Sequence, residues 1–145
     1  MILYLDSSAL AKRYLMEARS AEVERVIVDA EQAGTAMISR AEVSAALAKA
    51  VRMNWVARDE AHKALADFQA QWTSLFRLHI RETTVERADG LAWKYALRGY
   101  DAVHLACAVL WQESVSSPVI LATFDRPLWE AARLAGLSAW PDTLE

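Results

Sequence analysis

Short apolar runs alternate with longer stretches of helical periodicity along most of the chain. Residues 1–5 form an uninterrupted apolar run and residues 119–123 a nearly uninterrupted one, which is typical of strands buried on both faces of a sheet. Residues 35–38 form a shorter run, residues 76–80 alternate between apolar and polar positions, and residues 137–140 form a last short run. The pattern therefore predicts five short strands, with the third near an edge of the sheet.

Helical spacing of apolar positions predicts seven helices between these strands. The predicted helices cover, in order, residues 9–15, 20–33, 39–53, 58–74, 83–98, 101–112 and 127–135. Glycine commonly follows the last helical residue, so Gly34 is expected to end the second helix and Gly99 the fifth. Strands that alternate with helices in this way indicate an α/β fold in which a mostly parallel sheet is covered by helices on both faces.

Four acidic residues lie where predicted strands end or where a helix begins beside them. Asp6 directly follows the first strand, Glu42 comes shortly after the second, and Asp125 follows the fourth. Asp101 begins the sixth helix. In a parallel α/β sheet the junctions from strand to helix lie at the same edge, which is where open sheets of this class bind ligands. We therefore expect the four carboxylates to converge although they are far apart in sequence.

Each acid also has a purely structural interpretation. Asp6 and Asp125 stand where a helix N-cap is expected, and Asp is among the best N-cap residues. Ser39 and Glu42 have the spacing of a capping box, in which the glutamate bonds back to the N–H of the cap residue. Asp101 is an acid near the positive end of a helix dipole. Taken one at a time, the four positions leave both interpretations open.

Four carboxylates brought close together repel one another unless a cation lies between them. Oxygen ligands of this kind suit Mg²⁺ or Mn²⁺, and such a site can orient and deprotonate a water molecule for attack on a phosphodiester. Without metal, at least one of the clustered carboxyls should have a raised pKa. His104 lies one helical turn after Asp101, and it either faces this site or sits at the margin of a packed helix.

Composition narrows the classes of protein that fit. The chain has 145 residues, 54% of them hydrophobic, which favours one folded domain spanning residues 1–145. The net charge is −3 and no basic block is present, so binding to a nucleic acid cannot rest on charge alone. The single cysteine, Cys107, lies in an apolar helical run, which suits a buried thiol in a reducing cytoplasm. The first apolar run is too short for a signal peptide, and no membrane span is expected.

At these positions the chain resembles the PIN-domain ribonucleases, and among them the VapC-type toxins of bacterial toxin–antitoxin pairs. The matching segments are residues 5–10, 39–47, 100–106 and 123–128, which read LDSSAL, SRAEVSAAL, YDAVHLA and TFDRPL. The resemblance implies a PIN-like three-layer α/β/α sandwich with a central sheet of about five strands. It also implies a set of catalytic, metal-binding acids with two accessory hydroxyls, namely Asp6, Glu42, Asp101 and Asp125 with Ser8 and Thr123.

The resemblance further implies Mg²⁺- or Mn²⁺-dependent cleavage of RNA, a homodimer, and a cognate antitoxin that blocks the site. A PIN-fold nuclease without a toxin role is one alternative. A haloacid-dehalogenase-like phosphatase would need a second acid where Ser8 stands, and a phospho-accepting receiver domain would need adjacent acids before the first strand ends. A binding module without catalysis is a further class. Trp55 and Trp72 bracket the third-to-fourth helix region, and each is either a core residue or part of an interface with a partner.

Overall fold

Five strands and seven α-helices alternate along residues 1–15 and 17–145, the part of the chain that the computed structural model describes. The strands are β1 (Ile2–Leu5), β2 (Gln32–Ala36), β3 (Phe76–Leu78), β4 (Val119–Ala122) and β5 (Ser138–Trp140). The helices are α1 (Ser7–Lys12), α2 (Ser20–Asp29), α3 (Ser39–Arg52), α4 (Arg58–Gln71), α5 (Glu82–Tyr95), α6 (Gly99–Val115) and α7 (Arg126–Leu134). A short 3-10 helix, Trp72–Ser74, continues α4 into the turn before β3. The predicted strands and helices are therefore present, with ends that differ by a few residues.

The five strands form one parallel sheet in the order β3-β2-β1-β4-β5. β1 is central, and its Tyr4 pairs in register with Gly34 of β2 on one side and with Leu121 of β4 on the other. After β1 the chain builds β2 and β3 outward in one direction, and later builds β4 and β5 in the other. The strand order therefore reverses between β1 and β4, and the carboxyl ends of these strands border the crevice where such sheets bind ligands.

The side chains of β1 alternate between two cores, as expected for a central strand. Leu3 and Leu5 pack with α1, α2, α3 and α4 on one face of the sheet, whereas Tyr4 packs with α5, α6 and α7 on the other. All three residues are fully buried, and burial of each leucine side chain stabilises the fold by about 1.5–3 kcal/mol. The structure is thus a three-layer α/β/α sandwich, which confirms the predicted fold class.

Two glycines that were expected to end helices do not do so. Gly99 begins α6, and α5 is closed instead by Ala96, whose φ of 53° places it in the left-handed region typical of a helix C-cap. Helix α2 ends at Asp29, and Gly34 lies in the middle of β2. The expectation for Gly34 fails because a glycine can also mark a need for space inside a strand, and that for Gly99 fails because an alanine in the left-handed conformation already closes α5.

Gly34 allows β3 and α6 to approach β2 closely. A Cβ atom at this position would lie 2.8 Å from the carbonyl oxygen of Phe76 and 2.8 Å from the indole ring of Trp111. The rings of Phe76 and Trp111 stack on each other, with centroids 5.2 Å apart and planes 4° from parallel. A glycine in β2 is therefore required for the stacked aromatic pair to cover this end of the sheet.

The structure also tests what the sequence predicted for the cysteine, for two tryptophans and for membrane-spanning helices. Cys107 is buried in α6 as expected, and burial raises the pKa of its thiol to about 11. Trp72 is a core residue at 3% exposure, whereas Trp55 is 66% exposed after α3. Within residues 1–15 and 17–145, no helix is long and apolar enough to cross a membrane.

Replacing Gly34 by alanine should lower the free energy of unfolding by about 1–3 kcal/mol, the usual cost of forcing extra volume into a packed core. Denaturant unfolding measures this change. Gly90→Ala is the matched control, because Gly90 lies inside α5 and, among the described residues, no atom lies within 4 Å of an added Cβ. That variant should gain up to about 1 kcal/mol from higher helix propensity. Equal effects of the two substitutions would show that space at Gly34 is not limiting.

Candidate active site

Asp6 follows β1 at the point where the strand order reverses, and it is 3% exposed. One carboxylate oxygen accepts hydrogen bonds from the Ser8 hydroxyl at 2.7 Å and from the Ala9 amide at 2.9 Å. The other oxygen accepts from the Thr123 hydroxyl at 2.6 Å. Asp6 is therefore both the N-cap of α1 and a buried acid at the sheet edge, so its structural and functional interpretations are compatible.

Burial raises the pKa of Asp6, although the charge of His104 and the hydrogen bonds to the carboxylate lower it. The predicted raised pKa is thus confirmed for this acid. Its main cause, however, is the removal of the carboxylate from water, and not the repulsion between acids that the sequence suggested. A carboxylate in such a place favours a bound proton or a cation close by.

The loop between β4 and α7 is tied to Asp6 through two hydroxyl groups. The Ser8 hydroxyl oxygen accepts from the Phe124 amide, and the Thr123 hydroxyl oxygen accepts from the Asp125 amide, both at 3.0 Å. Asp125 in turn is the N-cap of α7. Each hydroxyl therefore donates to Asp6 and accepts from the loop, so both predicted accessory residues contact the first acid and fix the backbone that carries the last.

Asp101 and Asp125 share one arginine. Nε of Arg98 donates to Oδ2 of Asp101 at 3.0 Å, and Nη2 donates to Oδ1 of Asp125 at 3.2 Å. Asp101 lies in the first turn of α6 and is 8% exposed, whereas the Arg98 side chain is 78% exposed. Burial raises the pKa of Asp101, and the charge of Asp125 adds to the rise against the opposing guanidinium. The two carboxylates are therefore bridged by one guanidinium group.

Glu42 does not form the predicted capping box. Ile38 is the N-cap residue of α3, and the Ser39 hydroxyl pairs with the hydroxyl of Thr35 at 2.6 Å. Oε1 of Glu42 instead lies 2.7 Å from Nε2 of His104. The capping interpretation is wrong because Ser39 already belongs to the helix, where its hydroxyl pairs with a buried residue of β2. Glu42 instead contacts a residue of α6.

His104 is 2% exposed, so of the two positions that the sequence left open it does not lie at the helix margin, and its ring faces the candidate site through Glu42. Its Nδ1 is 2.6 Å from the Tyr4 hydroxyl, on the side of the ring opposite Glu42. Burial lowers the pKa of the imidazole, but the bond to Glu42 and the charges of Asp6 and Asp101 raise it above its ordinary value. The ring is therefore held among acids that come from three different elements of the fold.

The four predicted acids stand at one edge of the sheet, but their carboxylates engage different partners. Asp6 faces two hydroxyls, Glu42 faces a histidine, and the remaining two share an arginine. Within residues 1–15 and 17–145, no three acidic, histidine or cysteine side chains are grouped as a metal ion requires. The donor set nevertheless has the chemistry of a Mg²⁺ or Mn²⁺ site, because it consists of carboxylate oxygens. The metal site stays a prediction.

Sequence reasoning missed Arg98 and Tyr4. Arg98 precedes Asp101 by three residues, and opposite charges at that spacing in a helical segment are a usable signal for an ion pair. Tyr4 gives a weaker signal, because a tyrosine in a buried strand needs a partner for its hydroxyl without the sequence showing which one.

Comparison with known proteins finds relatives along nearly the whole chain. The PIN domain family matches residues 3–134. Ribonuclease VapC49 of Mycobacterium tuberculosis is 32% identical over 145 residues, which covers 99% of this chain and 98% of that protein. Ribonuclease VapC3 of Pyrobaculum aerophilum is 31% identical over 130 residues, which covers 90% of this chain and 94% of that protein.

Solved structures of similar fold share less sequence with the chain. The crystal structure of PAE2754 from Pyrobaculum aerophilum has a TM-score of 0.66 at 22% identity, covering 96% of this chain and 83% of that one. VapBC2 from Rickettsia felis, bound to a DNA fragment from its promoter, has a TM-score of 0.65 at 11% identity, with 96% and 97% covered. A toxin–antitoxin complex from Klebsiella pneumoniae has a TM-score of 0.63 at 18% identity, with 85% and 86% covered. At these identities the likeness shows the fold alone.

Replacing Asp6 by asparagine should stabilise the metal-free protein at neutral pH more than at acidic pH. A carboxyl with a raised folded-state pKa makes a favourable contribution below its unfolded pKa, and this contribution is lost as pH rises through the folded pKa. Asparagine carries no charge and caps a helix nearly as well, so it avoids the loss. Each unit by which the pKa is raised corresponds to about 1.4 kcal/mol.

Thermal melts in EDTA at acidic and at neutral pH measure this effect. The difference in melting temperature between the variant and the wild type should grow in favour of the variant as pH rises. The acidic melt is the internal control, because there the wild-type carboxyl is protonated and the two proteins differ only in hydrogen bonding. A difference that does not change with pH would contradict a raised pKa of Asp6.

Proposed function

The chain belongs to the PIN domain family, and we propose that it is a Mg²⁺- or Mn²⁺-dependent endoribonuclease of the VapC toxin type. The observation that carries the proposal is a set of four acids at the carboxyl edge of the sheet, namely Asp6, Glu42, Asp101 and Asp125. Asp6 and Asp101 are buried. Relatives named as VapC ribonucleases match over nearly the full chain, which supports a nuclease over a phosphatase or a binding module.

Asp6 and Asp101, the two buried acids, would hold the metal ion, with Glu42 and Asp125 completing the oxygen ligands. A bound Mg²⁺ lowers the pKa of a water molecule and neutralises charge on the scissile phosphate. Arg98 supplies the positive charge beside Asp101 and Asp125 in this structure. Because its side chain is largely exposed, Arg98 can turn towards solvent or a phosphate when another cation neutralises the two acids.

Ser8 and Thr123 have a supporting role in this proposal. Their hydroxyls donate to different oxygens of Asp6, so both oxygens are oriented before any ligand arrives. Hydrogen bonds to a charged group contribute about 1.5–3 kcal/mol each, which offsets part of the cost of burying the carboxylate. The two hydroxyls therefore help to keep a charged acid at the bottom of the crevice.

The net charge of the chain makes substrate binding depend on cations. With a net charge of −3 and several acids around the crevice, the protein repels a phosphate backbone. A divalent ion among the acids removes that repulsion at the reacting phosphate. We therefore expect the binding of RNA, and not only its cleavage, to weaken when divalent metal is removed.

We further propose an antitoxin as a partner and a homodimer as the assembly. Solved structures of similar fold include a toxin–antitoxin complex from Klebsiella pneumoniae and VapBC2 from Rickettsia felis. Trp55 borders a cleft with Tyr14, Leu47 and Val56, between α1, α3 and α4. An exposed aromatic side chain beside a partly apolar cleft suits the docking of an amphipathic segment of an antitoxin.

Replacing Asp6 or Asp101 by asparagine should lower the rate of RNA cleavage by about 10²–10³-fold, the usual effect of removing one electrostatic group from an active site. The measurement is cleavage of a labelled RNA by purified protein in Mn²⁺, with circular dichroism to show that the fold is retained. Asp29→Asn is the matched control, because Asp29 is an exposed aspartate at the end of α2, just before β2, and so lies at the amino edge of the sheet, opposite the acids. EDTA should abolish cleavage by the wild type. Full activity in both site variants would disprove the assignment of the acids.

Expression of the chain without its antitoxin should arrest growth of the host, and Asp101→Asn should relieve the arrest. The reason is that a toxic ribonuclease harms the cell only through its active site. Colony counts after induction, with immunoblots to show equal protein levels, measure the effect. Equal growth with wild type and variant, combined with active purified enzyme, would point to a PIN-fold nuclease without a toxin role.

A further inference from the structure

A chain of three polar side chains leads from the interior of the sheet to the candidate active site. The Tyr4 hydroxyl on β1 lies 2.6 Å from Nδ1 of His104 on α6, and Nε2 of the same ring lies 2.7 Å from Oε1 of Glu42 on α3. Tyr4 is completely buried and His104 is 2% exposed, whereas the Glu42 side chain is 25% exposed. The chain thus begins in the core and ends at an acid that reaches the surface.

The direction of the hydrogen bond to Glu42 follows from the chemistry of its members. An ionised carboxylate can only accept, so Nε2 of His104 donates to Glu42. Nδ1 then meets the hydroxyl of Tyr4, which stays protonated because burial raises the pKa of Tyr4 well above its ordinary value. Both nitrogens of the ring are therefore engaged, and the ring is fixed from the core side as well as from the site side.

Glu42 depends on this contact for its orientation. Among residues 1–15 and 17–145, the bond from His104 is the one hydrogen bond that the structure gives to the Glu42 carboxylate. A glutamate side chain has several rotatable bonds, and holding it in one conformation costs conformational entropy. If an immobile partner already holds the glutamate in place, less conformational entropy is lost when a ligand binds.

We propose that His104 is a positioning residue, which holds Glu42 in place for a divalent metal ion while Tyr4 fixes the imidazole ring. The inference rests on the proposed function, because it assumes that Glu42 belongs to the metal site. It goes beyond that function by assigning a task to two buried residues outside the set of acids. Residues that hydrogen-bond to metal ligands commonly change metal affinity by about 10–100-fold when they are replaced.

Two substitutions of His104 separate positioning from simple core packing. In His104→Gln the side-chain amide nitrogen occupies nearly the place of Nε2, so a donor to Glu42 remains. In His104→Asn the amide reaches only the place of Nδ1, so the contact with Tyr4 is possible and the contact with Glu42 is lost. We expect His104→Asn to weaken Mn²⁺ binding by about 10–100-fold, and His104→Gln to stay within about threefold of the wild type.

Isothermal titration with Mn²⁺ measures these affinities directly and does not depend on catalysis. Leu105→Val is the matched control for loss of packing, because Leu105 is a fully buried neighbour on α6 that makes no hydrogen bond with its side chain. It should lower the melting temperature in EDTA while leaving the dissociation constant for Mn²⁺ unchanged. Tyr4→Phe removes the hydroxyl alone and should weaken Mn²⁺ binding less than His104→Asn does.

The outcomes distinguish this inference from the proposed function. If the wild type fails to bind Mn²⁺, the proposed metal-dependent function is overturned, and the positioning role with it. If the wild type binds Mn²⁺ but His104→Asn and His104→Gln bind it equally well, or lose affinity equally, the positioning role alone is overturned. Should His104→Asn fail to fold, an affinity in Tyr4→Phe equal to that of the wild type overturns it instead.

Discussion

The hydrogen bonds to the buried carboxylate of Asp6 hold the edge of the sheet together. A charged group at 3% exposure is costly unless it is paired, and here hydroxyl and amide groups from two segments of the chain surround it. Ser8 belongs to the helix after β1, and Thr123 to the loop after β4. Satisfying one buried carboxylate therefore ties together the segments that follow the two strands between which the strand order reverses.

Two basic side chains hydrogen-bond to the remaining acids at the same edge. Arg98 bridges Asp101 and Asp125 from the solvent side, and His104 donates to Glu42 from the core side. The two basic side chains differ in freedom, since the arginine side chain is 78% exposed and the histidine is 2% exposed. A cation that can leave thus stands beside two of the acids, while an immobile ring holds another. That difference suits a site which exchanges its solvent-side cation for a ligand.

The α/β architecture and the first acid are readable from the sequence because they depend on local patterns. An apolar run that ends at a carboxylate predicts a buried strand followed by a sheet-edge acid, and Asp6 occupies that place. Gly34 was misread, and the position of His104 was left open, because their roles depend on neighbours far away in sequence. A close approach to Trp111 explains the glycine, and contacts with Tyr4 explain the histidine. Local sequence patterns do not reveal these partners, because they lie far from Gly34 and His104 along the chain.

A helix cap and an active-site acid produce the same pattern in the sequence, because both place a carboxylate at the start of a helix beside the end of a strand. Burial separates the two interpretations where sequence does not. Capping needs only an oxygen near the amides of the first turn, as Asp125 provides at 24% side-chain exposure. The Asp101 side chain is 12% exposed and is not the N-cap of α6, so capping does not explain a buried carboxylate at that position. A buried acid with a raised pKa, whose charged partner is largely exposed, is a candidate for binding a ligand.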